Sequence, residues 1–276
     1  MDTPHETDPK NKNHSAYFVP GLHRGLIALE IVASAQEPLS ISEIAAELKL
    51  TRSSTFRLVY TLLQMGFLAE SGKSKHYELG PRVLNIGFSY LASQSIIELA
   101  KPELERLRDE TSVTSHLAIR DERSVLYLSC MQTRSGFLSN MNVGSRVPAY
   151  ASPMGWYLLS QLPDHELARL MGKGPFQALT DQSPTTFQTL VETIRKISGQ
   201  PCFVSHGVLE AGGASVSAPV FDREGRIVAA IDISGPISAF ELDHLETRYA
   251  DAVVDAAQRI SARLGYVRRH DAVRSA

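Results

Sequence analysis

The sequence predicts an α+β protein, and three patterns support that prediction. Residues 39–68 have the spacing of two helices joined by a tight turn. Residues 67–79 have the pattern of a β-hairpin, so the N-terminal part predicts a winged helix-turn-helix. From Thr114 onward, runs with the two-residue period of strands alternate with helical segments, which is typical of a largely antiparallel sheet flanked by helices.

The chain is long enough for two domains, because 276 residues with 43% hydrophobic content can fill two cores. We expect a disordered tail at 1–20, a winged helix-turn-helix domain at 21–80, a linker helix at 81–95 and a second domain at 96–268. The sequence contains neither a membrane-length apolar run nor the apolar core of a signal peptide, which predicts a cytoplasmic protein without a membrane partner.

The helix pair begins where Ser40 and Glu43 have the spacing of a capping box. After a three-residue turn, Thr51 can cap a second helix that runs to about Met65. Gly66 then suits the position just after a helix end, where the backbone often turns left-handed.

The second helix has two unlike faces. One is an apolar stripe that needs burial, made of Thr55, Leu58, Leu62 and Met65 with Val59 alongside. The other consists of Ser53, Phe56, Arg57, Tyr60 and Gln64. Exposed aromatic rings beside an arginine need a partner, and DNA supplies one, since arginine can bond guanine or phosphate and rings can contact a thymine methyl. The alternative is an ordinary helical hairpin in which another part of the chain buries Phe56 and Tyr60.

The predicted wing adds positive charge to this region. Lys73 and Lys75 lie at the tip of the hairpin, where they suit backbone phosphates. Between residues 49 and 82 six basic residues face two acidic ones, a balance of +4 in a chain whose net charge is −2. We therefore predict double-stranded DNA as a partner. The predicted contacts are Thr51, Arg52, Ser53, Ser54, Phe56, Arg57, Tyr60, Lys73 and Lys75.

The remaining elements follow from periodicity and breakers. A helix with Leu22, Leu26 and Leu29 precedes the pair, and Gly80-Pro81 starts the linker helix. A further helix spans about 95–111, with Pro102 as a break or a fresh start. Strands are predicted near 116–119, 125–129, 136–138, 202–206, 214–221 and 226–234, with helices near 153–171, 185–198 and 242–260.

An enzyme is the main alternative, and the sequence gives it little support. It contains no GxGxxG, Walker A or HExxH pattern, and residues 213–217 lack the final glycine of a nucleophile elbow. His116, Cys130 and His206 could approach one another, but single histidines and cysteines on strands are usually packing residues. We interpret Cys130 and Cys202 as buried apolar residues and expect no metal and no cofactor.

These residues resemble the IclR family of bacterial transcriptional regulators over about 22–265. The resemblance rests on the two helices of the N-terminal pair, on Tyr77–Pro81, on Gly144–Ser152, on Ala218–Asp222 and on Ala229–Pro236. It implies a winged-helix domain, a linker helix and a GAF-like effector-binding domain, assembled as a homodimer or homotetramer on operator DNA. It also implies a repressor or activator, here expected to control a catabolic operon. A winged-helix module that binds protein without DNA specificity is the other alternative.

Two departures from the family pattern bear on these expectations. Residues 153–157 read PMGWY where small residues and a Gly-Lys pair are usual, which leaves the ligand open. Lys49 stands in the turn where glycine is usual, so this position must avoid or tolerate a positive φ.

A small-molecule site is implied in the second domain. The resemblance gives effector contacts at Val147, Pro153, Met154, Ser205, Ser215, Asp232 and Ser234. Ser152 can cap the helix that starts at Pro153, leaving the amides of Met154 and Gly155 to meet an anion or a carbonyl oxygen.

Strand alternation independently gathers Ser215, Asp232 and Ser234 on polar faces of an otherwise apolar sheet. We expect a small organic effector with an apolar, even aromatic, part and hydroxyl or amine groups. A simple carboxylic acid is less favoured, because an ionised Asp232 would repel it. The alternative is that Asp232 and the serines only bond loop backbone.

Overall fold

The structure is a computed structural model that describes residues 17–72, 75–93, 95–133 and 141–267. Residues 1–16 of the tail predicted at 1–20, Lys73 and the predicted strand at 136–138 lie outside the described residues. The chain divides into two compact units between Ser93 and Gln94, and each unit is described by itself.

The N-terminal unit is a helix-turn-helix with a small antiparallel sheet. Its helices are α1 (Pro20–Ser34), α2 (Ile41–Leu48), α3 (Arg52–Gln64) and α4 (Arg82–Ser93). Its strands are β1 (Leu39–Ser40), β2 (Leu68–Glu70) and β3 (His76–Leu79), in the order β1-β3-β2. The β2–β3 hairpin is the predicted wing, paired with Ala69 opposite Glu78.

Local capping sets the ends of the helix pair as predicted. Ser40 and Glu43 form both hydrogen bonds of a capping box, and the Thr51 hydroxyl accepts from the Ser54 amide. Lys49 tolerates the turn by adopting a left-handed backbone with φ 53°, a conformation that costs a non-glycine residue about 1–2 kcal/mol. Its amide repays part of this cost by donating to carbonyls of α2.

The core of the N-terminal unit lies where α1, α2 and α3 meet the wing. Its buried members are Ala28, Val32, Ile44, Val59, Leu62, Leu68 and Tyr77. Thr55, Val59 and Leu62 are buried as the stripe on α3 predicts. Met65 was wrongly included in that stripe: it is exposed, because α3 ends at Gln64 and Met65 is its C-cap residue.

The C-terminal unit is a six-stranded antiparallel sheet with helices. The strands are β4 (Ser115–Asp121), β5 (Ser124–Met131), β6 (Arg146–Pro148), β7 (Phe203–His206), β8 (Gly213–Phe221) and β9 (Ile227–Pro236), in the order β6-β5-β4-β9-β8-β7. The helices are α5 (Ser95–Thr111), α6 (Pro153–Leu159), α7 (Asp164–Met171), α8 (Phe187–Ile197) and α9 (Ala250–Arg263). The predicted α+β class is confirmed.

Three predicted helices differ in detail. α5 continues through Pro102 without a break. The helix expected over 153–171 is two helices, because Pro163 disfavours helical backbone before it and serves as the N-cap of α7. The last helix begins irregularly, with a 3₁₀ turn at Leu242–His244 and a π turn at Leu245–Tyr249 before α9.

The two faces of the sheet carry different chemistry. Helices α5 and α9 pack on one face, whose residues include Leu117, Ile231 and Ile233. The other face packs against α6, and the register aligns His116 with Asp232 and Ser215 with Ser234 on it. This polar row on a buried face positions the cavity described below. Among the described residues, no helix has the length and apolar composition to span a membrane.

Candidate functional site

The outer face of α3 presents the predicted residues together. Ser53, Phe56, Arg57 and Tyr60 are all exposed. Phe56 is 51% and Tyr60 53% exposed, and their rings stack with centroids 6.1 Å apart. The alternative, an ordinary helical hairpin in which another part of the chain buries Phe56 and Tyr60, is therefore wrong. A stacked aromatic pair beside an exposed guanidinium is a surface that needs an external partner.

The start of α3 adds hydroxyl groups to this surface. The Thr51 hydroxyl donates to the Ser54 hydroxyl at 3.0 Å and accepts from the Ser54 amide at 3.3 Å. The Ser54 proton therefore stays available to a phosphate oxygen. Arg52 and Lys75 are exposed, and Lys75 occupies a left-handed position in the wing turn.

Arg82 is less available than the charge pattern suggested. Its guanidinium donates to the Met65 carbonyl at 3.0 Å and lies 5.6 Å from the centre of the Phe67 ring. These contacts hold the end of α3 against the chain that leads into the wing. The positive balance counted between residues 49 and 82 thus includes one cation with a structural role.

A cavity of about 640 Å³ opens on the polar face of the C-terminal sheet. Six of the eight predicted effector positions line it: Ser152, Pro153, Ser205, Ser215, Asp232 and Ser234. Sequence reasoning did not select the other lining residues, which include Tyr127, Met141, Val208, Leu209, Glu210 and Pro236. The loops that carry several of them have no periodicity to predict their direction.

Val147 and Met154 are not among the lining residues. Val147 is 6% and Met154 1% exposed, and both belong to the hydrophobic core of this unit. On β6 the side chains alternate, which turns Val147 inward, and Met154 follows Pro153 on a fully buried helix. Their contribution to the site is packing beneath it.

The helix start at Pro153 does not offer two free amides. The Ser152 hydroxyl accepts from the Gly155 amide at 3.4 Å, so the predicted cap is present and uses that donor. The prediction that the Gly155 amide is free to bind an anion is therefore wrong. The Ser152 cap itself takes up this amide.

The three cavity serines on the sheet, Ser205, Ser215 and Ser234, bond to side chains rather than to loop backbone. The Ser205 and Ser215 hydroxyls are 2.8 Å apart across β7 and β8. The Ser234 hydroxyl lies 3.3 Å from Nδ1 of His116. The alternative in which Asp232 and these serines serve only loop backbone does not hold.

The most unusual feature of the cavity wall is a buried ion pair. His116 Nδ1 lies 2.8 Å from Oδ1 of Asp232, with His116 fully buried and Asp232 4% exposed. Burial pulls the pKa of His116 down, but attraction to the Asp232 carboxylate and the hydrogen bond with it, together with a contribution from Cys130, raise that pKa to about 9. The imidazole is therefore protonated at neutral pH and compensates the carboxylate.

Sequence reasoning treated His116 as a packing residue and missed this pair. The two residues are far apart in sequence, and the register that aligns β4 with β9 joins them. Tyr127 packs edge-on against the His116 ring at 5.4 Å, and its pKa is well above the ordinary value because of burial, with Asp232 adding to the rise. Cys130 lies opposite His116 on β5 and, like Cys202, is half-buried rather than buried.

Both units match family models. The IclR helix-turn-helix domain matches residues 21–72, and the model described as bacterial transcriptional regulator IclR C-terminal matches residues 88–262. The chain is 27% identical to the Pca regulon regulatory protein of Pseudomonas putida over 90% of this chain and 84% of that protein. It is 27% identical to the transcriptional repressor IclR of Escherichia coli K12 over 91% and 92%.

A solved structure has the same fold. The IclR homolog of Microbacterium hydrocarbonoxydans, crystallised in complex with 4-hydroxybenzoate, is 21% identical with a TM-score of 0.74 and covers 88% of this chain and 98% of its own. The curated relatives are named as regulators, not as enzymes. The two family models match the two units in the order that the sequence predicted, the helix-turn-helix first and the C-terminal domain second. The chain belongs to the IclR family of bacterial transcriptional regulators.

Proposed function

We propose that this protein binds operator DNA through α3 and the wing, and that a small organic metabolite in the cavity changes its operator affinity. The carrying observation is the stacked, half-exposed pair of Phe56 and Tyr60 beside the exposed Arg57. We propose that the regulated genes form a catabolic operon. Repression and activation are equally compatible with the described surfaces.

The DNA contacts follow from side-chain chemistry. Arg57 can reach a guanine edge, and the two rings can lie against thymine methyl groups in the major groove. Thr51, Arg52, Ser53 and Ser54 at the start of α3, with Lys73 and Lys75 in the wing, are proposed to contact phosphates. Since one helix reads few base pairs, we propose that a homodimer or homotetramer binds two half-sites.

The cavity supports an effector role by size and lining. Its volume of about 640 Å³ falls within the roughly 300–1,000 Å³ typical of small-molecule sites. Apolar side chains such as Val208 and Leu209 line it beside a few polar groups. The fold neighbour that contains 4-hydroxybenzoate supports a small organic ligand in a domain of this kind, without identifying the ligand of this chain.

The proposed coupling is a population shift. A ligand that binds one arrangement of the effector domains more tightly favours that arrangement by its difference in affinity. We propose that the helix at 81–95, which includes α4, transmits the shift from the domain at 96–268 to the DNA-binding domain at 21–80. The spacing of paired α3 helices would then set operator affinity.

A footprint on the DNA upstream of the protein's own gene tests the DNA-binding proposal. We expect a protected, sequence-specific site that Arg57→Ala weakens. Arg195→Ala is the matched control, because Arg195 is an exposed arginine on α8 that pairs with Asp164. Equal binding of wild type to any sequence would contradict the proposal and favour a protein-binding winged helix.

A further inference from the structure

We infer that the cavity selects a neutral ligand with two adjacent oxygens, in which one hydroxyl donates to Asp232 and the neighbouring oxygen accepts from the cavity serines. This inference rests on the proposed effector role of the cavity. It narrows that role to a vicinal dihydroxy compound on an apolar ring or chain. It also excludes a carboxylate or an ammonium at the Asp232 position.

Asp232 supplies the acceptor. Its Oδ1 is held by His116, and no group in the described ranges hydrogen-bonds its Oδ2. Asp232 lines the cavity although it is only 4% exposed, whereas His116 is fully buried and does not line it. A ligand therefore meets the carboxylate side of the pair. Oδ2 therefore remains a hydrogen-bond acceptor at the cavity wall, and a ligand that donates a hydrogen bond matches it.

The charge of the pair decides which donor fits. His116 balances Asp232 within 2.8 Å, so the pair as a whole is neutral. An ammonium group at Asp232 would add a second positive charge next to His116, and a carboxylate would place its oxygens against Oδ2 of Asp232 in a cavity that the Glu210 carboxylate also lines. No lysine or arginine is among the described lining residues to offset a ligand carboxylate. A neutral hydroxyl donates to Oδ2 without adding a charge and without repelling the Asp232 carboxylate.

The serines supply the donors next to this acceptor. In a protonated His116 the single Nδ1 proton is directed at Asp232 and Nδ1 has no lone pair, so the Ser234 hydroxyl 3.3 Å away cannot donate to it and its proton remains free. In the Ser205–Ser215 pair, one hydroxyl proton forms the bond between the two serines and the other hydroxyl proton remains available to a ligand. Ser215 lies directly opposite Ser234, and Ser234 is two residues from Asp232 on β9. Opposed residues on a sheet are about 5 Å apart, so one small ligand head can reach all three.

The rest of the cavity suits an apolar skeleton. Besides Glu210, the lining includes five apolar side chains: Met141, Pro153, Val208, Leu209 and, at the end of β9, Pro236. They offer no row of polar side chains for a ligand that is hydroxylated throughout. The vicinal pair is therefore placed at one end of a largely apolar molecule.

Calorimetric titration of the full chain with matched probes tests this inference. The diol probes are catechol and trans-1,2-cyclohexanediol, and their dimethyl ethers keep the oxygens but lack the donors. Benzoate and benzylamine test the charged alternatives. We expect each diol to bind at least about ten-fold more tightly than its ether and than either charged probe.

Variants locate the effect. Asp232→Asn should weaken catechol by about ten-fold or more, and Ser215→Ala, which leaves the ion pair intact, by about three- to ten-fold. Asp243→Asn, at an exposed aspartate outside the cavity lining, is the control and should change nothing. Equal binding of diols and ethers, preference for a charged probe, or no binding of either diol by wild type overturns the inference.

The operator footprint of the same preparations without probe separates this inference from the proposed function. If the footprint persists but the diols bind no better than the other probes, only the proposed ligand class is wrong. Loss of sequence-specific footprinting by wild type removes the DNA-binding proposal itself.

Discussion

The outer face of α3 and the cavity wall of the C-terminal sheet depart from ordinary burial in opposite directions. On α3, two aromatic rings are about half exposed, at 51% and 53%. On the sheet, a histidine and an aspartate are almost completely buried, at 0% and 4%. The rings remain open to solvent in the described part of the chain, whereas the buried charges have each other. The first surface therefore requires another molecule to bury it, whereas the two charges of the second balance each other inside the fold.

The largest expected effect comes from breaking the buried pair. His116→Leu leaves Asp232 buried without a compensating charge, which costs about 3–5 kcal/mol of unfolding free energy. The single tryptophan, Trp156, lies in the core of this unit, so its fluorescence during urea unfolding reports the loss. The double variant His116→Leu/Asp232→Leu should recover much of it. A single variant as stable as wild type would mean that the pair does not exist in solution.

The pH dependence of stability is the next effect. The pKa of His116 rises from an ordinary 6.5 to about 9 in the folded state. The unfolded chain therefore holds fewer protons between these values, and stability is complete below pH 6.5 and falls as pH rises towards 9. At 1.36 kcal/mol per pKa unit the loss is about 3 kcal/mol. His116→Leu should flatten the Trp156 unfolding profile over this range. A wild-type profile as flat as that of the variant would contradict the assignment.

These two regions also differ in how far sequence could predict them. The α3 face follows from a local period of 3.6 residues and from caps three residues apart, so Phe56 and Tyr60 could be assigned to the surface. Ser215, Asp232 and Ser234 follow from strand alternation, whereas Ser205 followed only from the family resemblance. The His116–Asp232 pair depends on the register between β4 and β9, across more than a hundred residues, which no local pattern specifies. The loop residues of the cavity were missed because loops have no periodicity from which the direction of a side chain can be predicted.

On α3, a single side chain should change recognition without changing the fold. Arg57→Ala should weaken operator binding by about 1–3 kcal/mol and relax base preference at one position. Lys75→Ala should weaken all sequences alike and reduce the salt dependence, because a phosphate contact carries no sequence information. Binding titrations on operator and scrambled DNA at two salt concentrations separate these outcomes. An Arg57→Ala loss that is equal on both DNAs would make Arg57 a phosphate contact instead.

The smallest expected effects concern one buried hydroxyl in each unit. Thr55 Oγ1 and Ser217 Oγ have no hydrogen-bond partner within the described part of the chain. Thr55→Val and Ser217→Ala should therefore each leave stability unchanged or raise it by about 1 kcal/mol. Calorimetric melting measures both, and Thr55→Val should keep operator binding because Thr55 faces the core. A loss above about 1 kcal/mol would show that the hydroxyl is hydrogen-bonded in solution.

The most direct test of the DNA-binding account is the operator affinity of Phe56→Ala/Tyr60→Ala, measured beside its unfolding free energy. Because both rings are about half exposed, stability should stay within about 0.5 kcal/mol of wild type for each substitution. Operator binding should weaken by about ten-fold or more, since the rings would no longer meet the groove. A variant that remains folded and binds the operator with wild-type affinity would contradict the account.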